Sequence, residues 1–485
     1  MYLGIDIGTS SVKLSLIGDD LVQIGEASAP LTVATPQAYW SEQDPEHWWQ
    51  ALVQACAQLR AEHDLMAVRA IGLSGQMHGA VLLDAKGKVI RPAILWNDGR
   101  SHEECAAIAS TVPTAGQVAG VPPMPGFTAP KLLWLARHEP HAHARIAHIL
   151  LPKDYVGWRL HGSFVTDRSD AAGTCWLAQA DRAWSPALCE ATATQTAWLP
   201  RLCDGTDIAG ELSTQAAEAL GLRADTPVAA GGGDAATGAV GIGAISDGAS
   251  FLSLGTSGQL FVATSAYRPN PDQLVHAYCH TVPGMWFQMA AMLNGARPMQ
   301  WFADVTGVAL STLLAEASNV CPGDAPLFLP YLTGERSPHG DAHIRGGFYG
   351  LADGMGRAEM MRGVVNAIAY SFADAAHSLS AAGTHLGEVL AIGGGARSDL
   401  LLQSIADVLG VAVSRVSDPT TGPALGAAKL AAVASGGARL SDLATPPPIE
   451  RLFRPTDPEA HTAGLAGYRA LYHRLRGIHE EMTGR

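Results

Sequence analysis

Two aspartates stand where apolar residues and glycines otherwise dominate. Asp6 lies inside Met1-Tyr2-Leu3-Gly4-Ile5-Asp6-Ile7, and Asp234 ends the run Gly231-Gly232-Gly233-Asp234. A carboxylate in such surroundings has to be paired, capped or coordinated, because charge is costly away from water. Each half of the chain also carries a Gly-Thr-Ser turn, Gly8-Thr9-Ser10 and Gly255-Thr256-Ser257. Their N–H groups and hydroxyls are the donors an anionic phosphate needs. Two donor turns and two isolated acids suit phosphoryl transfer from ATP: donors and Mg²⁺ around the moving group, and a carboxylate to take the acceptor's proton. Asp6 could hold Mg²⁺ through water and Asp234 could be the base. Residue type alone does not divide these roles, and either acid could instead cap its own turn or helix.

Commoner nucleotide motifs do not fit. Gly87-Lys88 is followed by Val89 and lacks the upstream glycine of a P-loop. The Gly-x-Gly-x-x-Gly pattern fails at Gly231, where the sixth residue is Ala236, and at Gly393, where it is Ser398. A nucleophile elbow at Ser74 fails because Gln76 stands two residues on.

The elements that must position these residues recur in order. Ile5 and Ile7, then Val12, Leu14 and Leu16, alternate about the first turn and predict a β-hairpin. Leu21 to Ala27 predicts a third strand, and Asp44 or Ser41 caps a helix running to about Arg60. Val68 to Leu73 predicts a buried strand entering Ser74-Gly75-Gln76-Met77-His78-Gly79. Residues 102 to 225 read as mostly helical. The hairpin pattern restarts at Phe251, and Leu390-Ala391-Ile392 runs into Gly393-Gly394-Gly395 as the earlier strand runs into its turn. A small-residue helix follows from about Ala424, then a Pro-rich connector over Ala444 to Arg454, then a terminal helix over about 461–483. The repeated order implies duplication, with residues 1–245 and 246–485 as two domains and a ligand cleft between them.

At 485 residues the chain is too long for one core. Its 47% apolar and 16% charged residues and 53 glycines suit an α/β protein with tight strand-to-helix turns. A net charge of −13 argues against nucleic acid or an anionic membrane as the main partner. No run approaches the ~20 apolar residues of a membrane span. Asp6 interrupts the first apolar run, so Met1 to Ser15 does not read as a signal peptide. Seven scattered cysteines without a C-x-x-C pair point to a reduced, cytoplasmic setting and away from zinc.

Longer motifs carry a family resemblance. Gly126-Phe127-Thr128-Ala129-Pro130-Lys131-Leu132-Leu133-Trp134-Leu135 resembles the first signature of the FGGY carbohydrate kinases, and Gly346-Gly347-Phe348-Tyr349-Gly350-Leu351 the start of the second. The resemblance covers essentially the whole chain. It implies two duplicated RNase H-like α/β domains of the actin, hexokinase and heat-shock-chaperone ATPase type, flanking a central cleft.

Trp40-Ser41-Glu42-Gln43-Asp44-Pro45, Gly75-Gln76-Met77-His78-Gly79, Ile94-Leu95-Trp96-Asn97-Asp98-Gly99-Arg100 and Leu151-Pro152-Lys153-Asp154-Tyr155 are most similar to the family's D-xylulose-phosphorylating members. That resemblance implies Asp234 as base and Asp6 on the phosphate and Mg²⁺ side. It implies Met77 and His78, with Trp96 and Asp98, at the sugar. It implies Gly8, Thr9, Ser10, Lys13, Gly255, Thr256 and Ser257 at the ATP phosphates, and Gly393, Gly394 and Gly395 at the adenosine.

Its partners would be a small sugar and ATP, with neither nucleic acid nor membrane; a homodimer is one arrangement open to it. Kinases for L-ribulose, glycerol or gluconate are the near alternatives. A non-catalytic ATP-dependent clamp or a sugar sensor is the alternative of another class. The second signature departs from pattern at Gly363-Val364-Val365-Asn366, where an acid is expected in place of Asn366.

Overall fold

The computed structural model of the chain describes residues 1–417, 422–478 and 481. The first half opens with β1 (Tyr2–Ile7), β2 (Ser11–Ile17) and β3 (Gln23–Pro30), then α1 (Pro45–Arg60) and β4 (Ala70–Gly75). After α2 (Thr128–His138) and the short α3 (Arg168–Ala172) come β5 (Ile208–Glu211), β6 (Pro227–Ala229), β7 (Gly232–Gly233) and α4 (Asp234–Gly241). The second half has β8 (Ser250–Leu254), β9 (Gly258–Thr264), β10 (His276–Cys279) and β11 (Trp286–Met292). It continues with α5 (Arg297–Thr306), α6 (Arg357–Ala381), β12 (Val389–Ile392), β13 (Val413–Val416), α7 (Pro423–Ala434) and β14 (Ile449–Phe453).

The two sheets establish the duplication. The first runs β3-β2-β1-β4-β6-β5 and the second β11-β9-β8-β12-β13-β14, with β10 added at the β11 edge. Both have the same senses of pairing along these paths: two antiparallel steps, two parallel steps and a final antiparallel one.

β1 is buried along its whole length, as a central strand covered on both faces must be. Leu3, Ile5 and Ile7 share a core with Trp48 and Leu52 of α1. With a period of two, Tyr2, Gly4 and Asp6 face the other way. There Tyr2 packs with Leu425, Ala428 and Ala432 of α7. That helix, from late in the chain, therefore seats on the first sheet, so the break in sequence between the halves is not a clean break in space.

The seat is backbone on backbone. A Cβ on Gly4 would lie 1.9 Å from the Ala424 carbonyl oxygen, and one on Gly72 1.9 Å from that of Ala427. α7 also crosses α4, where a Cβ on Gly426 would lie 1.8 Å from the Thr237 carbonyl oxygen. Lys429 of α7 donates to the Gly241 carbonyl at the end of α4 at 2.8 Å, a cation placed on a helix C-terminus.

Several expectations shift. Residues 102–225 contain short strands, including His148–Leu150, Val165–Asp167 and Arg201–Cys203, because their apolar runs are too short to bury a helical face. The Pro-rich connector contributes β14, which follows the prolines and closes the edge of the second sheet. The third strand runs two to three residues later than its apolar pattern, to Pro30. The terminal helix spans Thr462–Leu475; of the stretch expected beyond it, 479, 480 and 482–485 lie outside the described residues. So do residues 418–421, ahead of α7. Asn366 is buried on α6 and donates from Nδ2 to the Pro322 carbonyl at 3.0 Å, a bond an ionised acid could not make. Among the described residues no helix is long and apolar enough to cross a membrane.

A methyl group at the crossing should be costly even though alanine favours helices. Gly426→Ala is expected to lower the unfolding free energy by about 1–3 kcal/mol through overpacking against Thr237. Chemical denaturation reads this directly, and a variant as stable as wild type would contradict the close approach.

Candidate active site

The two isolated acids come together across β4. In the β1–β4 register Asp6 stands beside Ser74, and β7 pairs with β4 at Ser74 and Gly75, so the next residue, Asp234, opens α4 on the same ridge. The Ser74 and Thr237 hydroxyls lie 2.6 Å apart and tie β4 to α4. Asp6 is buried, and its Oδ1 has no hydrogen-bond partner among the described residues. Burial raises its carboxyl to about 6, against the pull of the Ser74 hydroxyl and the Lys13 charge. Asp234 Oδ1 accepts the Ala235 N–H at 2.8 Å. Burial, and then the charge of Asp6, push Asp234 up to about 7, against that N–H. Two carboxyls thus share one field, with the second poised near neutrality.

The turn after β4 is shaped by its neighbours. His78 adopts a left-handed conformation, with φ 69°. Its Nδ1 lies 2.6 Å from the Gly173 carbonyl, which can only accept, so Nδ1 carries the proton and Nε2 presents a lone pair. Burial lowers the imidazole to about 3, so the ring is neutral at pH 7. It stacks on Phe127, with centroids 4.6 Å apart. Lys131 donates from Nζ to the carbonyls of His78 at 2.8 Å and Ile94 at 3.1 Å. The first signature segment, with Phe127 and Lys131, is therefore the brace of the His78 turn. Met77 fills the space left by two glycines: a Cβ on Gly233 would lie 2.9 Å from Met77 Cγ, and one on Gly173 2.8 Å from its Cε.

Behind this turn lies a buried ionic cluster that sequence reasoning did not place. Lys153 Nζ is 2.5 Å from Asp154 Oδ1, 3.0 Å from Asp167 Oδ1 and 3.7 Å from Asp170 Oδ2. Burial works against its charge, but the three carboxylates hold the ammonium above its ordinary range. Ser169 donates to Asp167 Oδ2 at 2.5 Å and accepts the Gly233 N–H at 3.1 Å. α3 thus fixes Gly233 next to Asp234, while the carbonyl just after it fixes His78. Lys153-Asp154 was visible in sequence as a motif, but its partners are 14 and 17 residues on.

The two donor turns do not do the same thing. Gly8 N–H bonds the Ser11 carbonyl at 3.0 Å, and Ser10 and Lys13 are exposed. Thr9 Oγ1 donates to Gln76 Oε1 at 3.0 Å and accepts the Trp96 indole N–H at 3.0 Å. The Thr9 hydroxyl is therefore already engaged, by Gln76 of the turn after β4 and by Trp96, which is 43% exposed.

In the second half, Gly255, Thr256, Gly394 and Gly395 line a cavity of about 810 Å³ together with Arg297 and Gln300 of α5. Ser257 and Gly393 do not line it. Gly393 makes the turn instead, with φ 90° and a Cβ that would meet the Leu254 carbonyl oxygen at 2.8 Å. Sequence reasoning missed the α5 residues, which carry no motif.

Asp98 is a correction. It is buried, its Oδ1 accepts from Arg100 N at 3.0 Å and Nε at 2.8 Å, and its Oδ2 accepts from Ser41 N at 2.6 Å and Arg100 Nη2 at 2.7 Å. With all its lone-pair positions taken it has none for a sugar. Nor is this a surface pair: the Arg100 guanidinium lies 3.6 Å from the Trp40 ring centroid and 2.7 Å from Glu42.

Comparison with known proteins agrees with this architecture. The FGGY family of carbohydrate kinases matches by its N-terminal domain over residues 1–241 and its C-terminal domain over 251–435. The xylulose kinase of Escherichia coli (strain K12) is 42% identical over 480 residues, 98% of this chain and 99% of that one. The xylulose kinase of Bacillus subtilis (strain 168) is 35% identical, over 90% of this chain and 88% of its own. A crystal structure described as a xyloylose kinase from Brucella ovis superposes with a TM-score of 0.95 at 41% identity, covering 98% of this chain and 99% of that one. The chain belongs to the FGGY family of carbohydrate kinases.

Proposed function

We infer that this chain is an ATP-dependent kinase that phosphorylates D-xylulose at its terminal hydroxyl. The observation that carries this reading is similarity to xylulose kinases along nearly the whole of both chains, joined to a Met77-His78 turn packed against the glycine that precedes Asp234. Residues 1–245 would supply the sugar side and the base, and residues 246–485 the nucleoside side.

Asp234 takes the proton of the acceptor hydroxyl. Its Oδ1 is held by Ala235 N–H, and Oδ2 has no hydrogen-bond partner among the described residues, so Oδ2 is the proton's destination. A carboxyl near 7 is matched to that task at neutral pH. His78, neutral and donating from Nδ1 to Gly173, offers Nε2 to a sugar hydroxyl. The Gly255-Thr256 turn faces the cavity where ATP phosphates would lead in from the nucleoside, and Gly394 and Gly395 allow close approach to the adenosine. Asp6 suits Mg²⁺, since its buried Oδ1 lacks a partner among the described residues and would accept from a metal-bound water. When bound, that ion would neutralise charge on the β- and γ-phosphates.

A coupled ADP-release assay over D-xylulose, L-ribulose, glycerol and gluconate tests the reading; D-xylulose should give the highest kcat/KM, and a clear preference for another sugar would overturn it. Asp234→Asn should lose at least ~10³-fold in kcat while ATP still binds, in line with loss of a positioned base. Near-normal turnover in the folded variant would remove Asp234 from the role. Because the base works only when ionised, wild-type kcat/KM for the sugar should fall about tenfold per pH unit below about 7. A profile flat down to pH 5 would contradict the raised carboxyl.

A further inference from the structure

The guanidinium of Arg336 is only partly answered within the protein. Its Nε donates to the Ala291 carbonyl at 3.0 Å, and among the described residues neither Nη nitrogen has a hydrogen-bond or ion-pair partner. The side chain is half-buried, and desolvation lowers the guanidinium from its ordinary range. The Glu335 carboxylate, next in the chain, works against that shift, but the Nη donors stay unpaired and favour an acceptor from outside the protein.

The loop that carries it is pinned on every side. Glu335 Oε1 accepts the N–H groups of Leu293 at 2.6 Å and Arg336 at 2.8 Å. Asn294 donates to the Gly334 carbonyl at 2.8 Å. Ser337 Oγ accepts Ala291 N–H at 3.2 Å and donates to the Leu274 carbonyl at 2.8 Å. The backbone is thus fixed while the end of the side chain is not.

The place it reaches is the His78 turn. Ala291 stands two residues along β11 from Met289, whose partner on β10 is His276. The His276 ring lies 6.3 Å from Phe127, and Phe127 stacks on His78. The Arg336 charge lowers both His78 and His276 further, beyond the main effect of burial. It is absent from the influences on Asp6 and Asp234, which are burial, Ser74, Lys13, the Asp6 charge and the Ala235 N–H. The guanidinium thus lies nearer the His78 turn than the two aspartates.

We propose that Arg336, from the second half of the chain, is a sugar-binding residue that donates from Nη to the oxygens at the non-reacting end of the ketose, opposite His78 Nε2. The inference rests on the kinase reading above. It makes the acceptor pocket a joint product of both halves, with specificity set partly by the half that holds ATP.

The test compares Arg336→Met and Arg336→Lys with wild type, reading KM for D-xylulose, KM for ATP, kcat and thermal midpoint. Arg336→Met should raise the sugar KM at least tenfold with the ATP KM within twofold, and Arg336→Lys, which keeps charge but not the paired donors, should fall between. A sugar KM within twofold of wild type in either folded variant overturns the proposal. So does a parallel rise in both KM values with a lowered midpoint, which marks a structural role. If Arg336→Met does not fold, Arg336→Lys decides alone, with at least a threefold rise in sugar KM expected. Should wild type instead prefer another sugar in the panel, the substrate reading fails, and the same variants on that sugar still decide Arg336.

Discussion

Asp6 and Asp234 repel each other in a cleft too dry to screen them, and the rest of the site follows from that. Burial raises both, and the Asp6 charge raises Asp234 further, so the pair divides its labour by environment. The acid with an orphaned oxygen and a lower carboxyl is the one suited to a cation. The acid at the start of α4, nearer 7, is suited to a proton. Neither property belongs to aspartate as such; each comes from the strand or helix that carries it.

Holding two like charges close requires a rigid frame. The frame is α7, which crosses α4 backbone on backbone at Gly426 and seats on β1 in the same way at Gly4. Each of those helices reaches beyond its own half. α7 seats on the sheet that carries Asp6, while Ala236 and Ala239 of α4 share a core with Phe251 and Phe261 of the second sheet. Asp234 therefore sits at the start of a helix anchored in both halves.

Much of this was legible in sequence for a definite reason. The hairpins, the Gly-Thr-Ser turns and the two acids are local patterns, and local patterns survive in a string of letters. The paired topology of the sheets followed from their repetition. What was hidden depends on distant partners. Asp98 was indistinguishable from an ordinary surface acid until Ser41, Glu42 and Trp40 surrounded it and Arg100. The Lys153 cluster, the brace from Lys131 to the His78 carbonyl and the contribution of α5 to the cavity in the second half join segments tens of residues apart. The edge strand β14 was masked by the prolines that precede it.

The central claim is geometric: the acceptor hydroxyl meets Asp234, while Asp6 takes the metal side. The most direct measurement is a structure of the ternary complex with D-xylulose, Mg²⁺ and a non-hydrolysable ATP analogue. It should place the terminal hydroxyl within about 2.6–3.2 Å of Asp234 Oδ2, in line with the γ-phosphate, and the ion with its waters against Asp6. A terminal hydroxyl lying against Asp6, or a metal ion held directly by Asp234, would contradict the account.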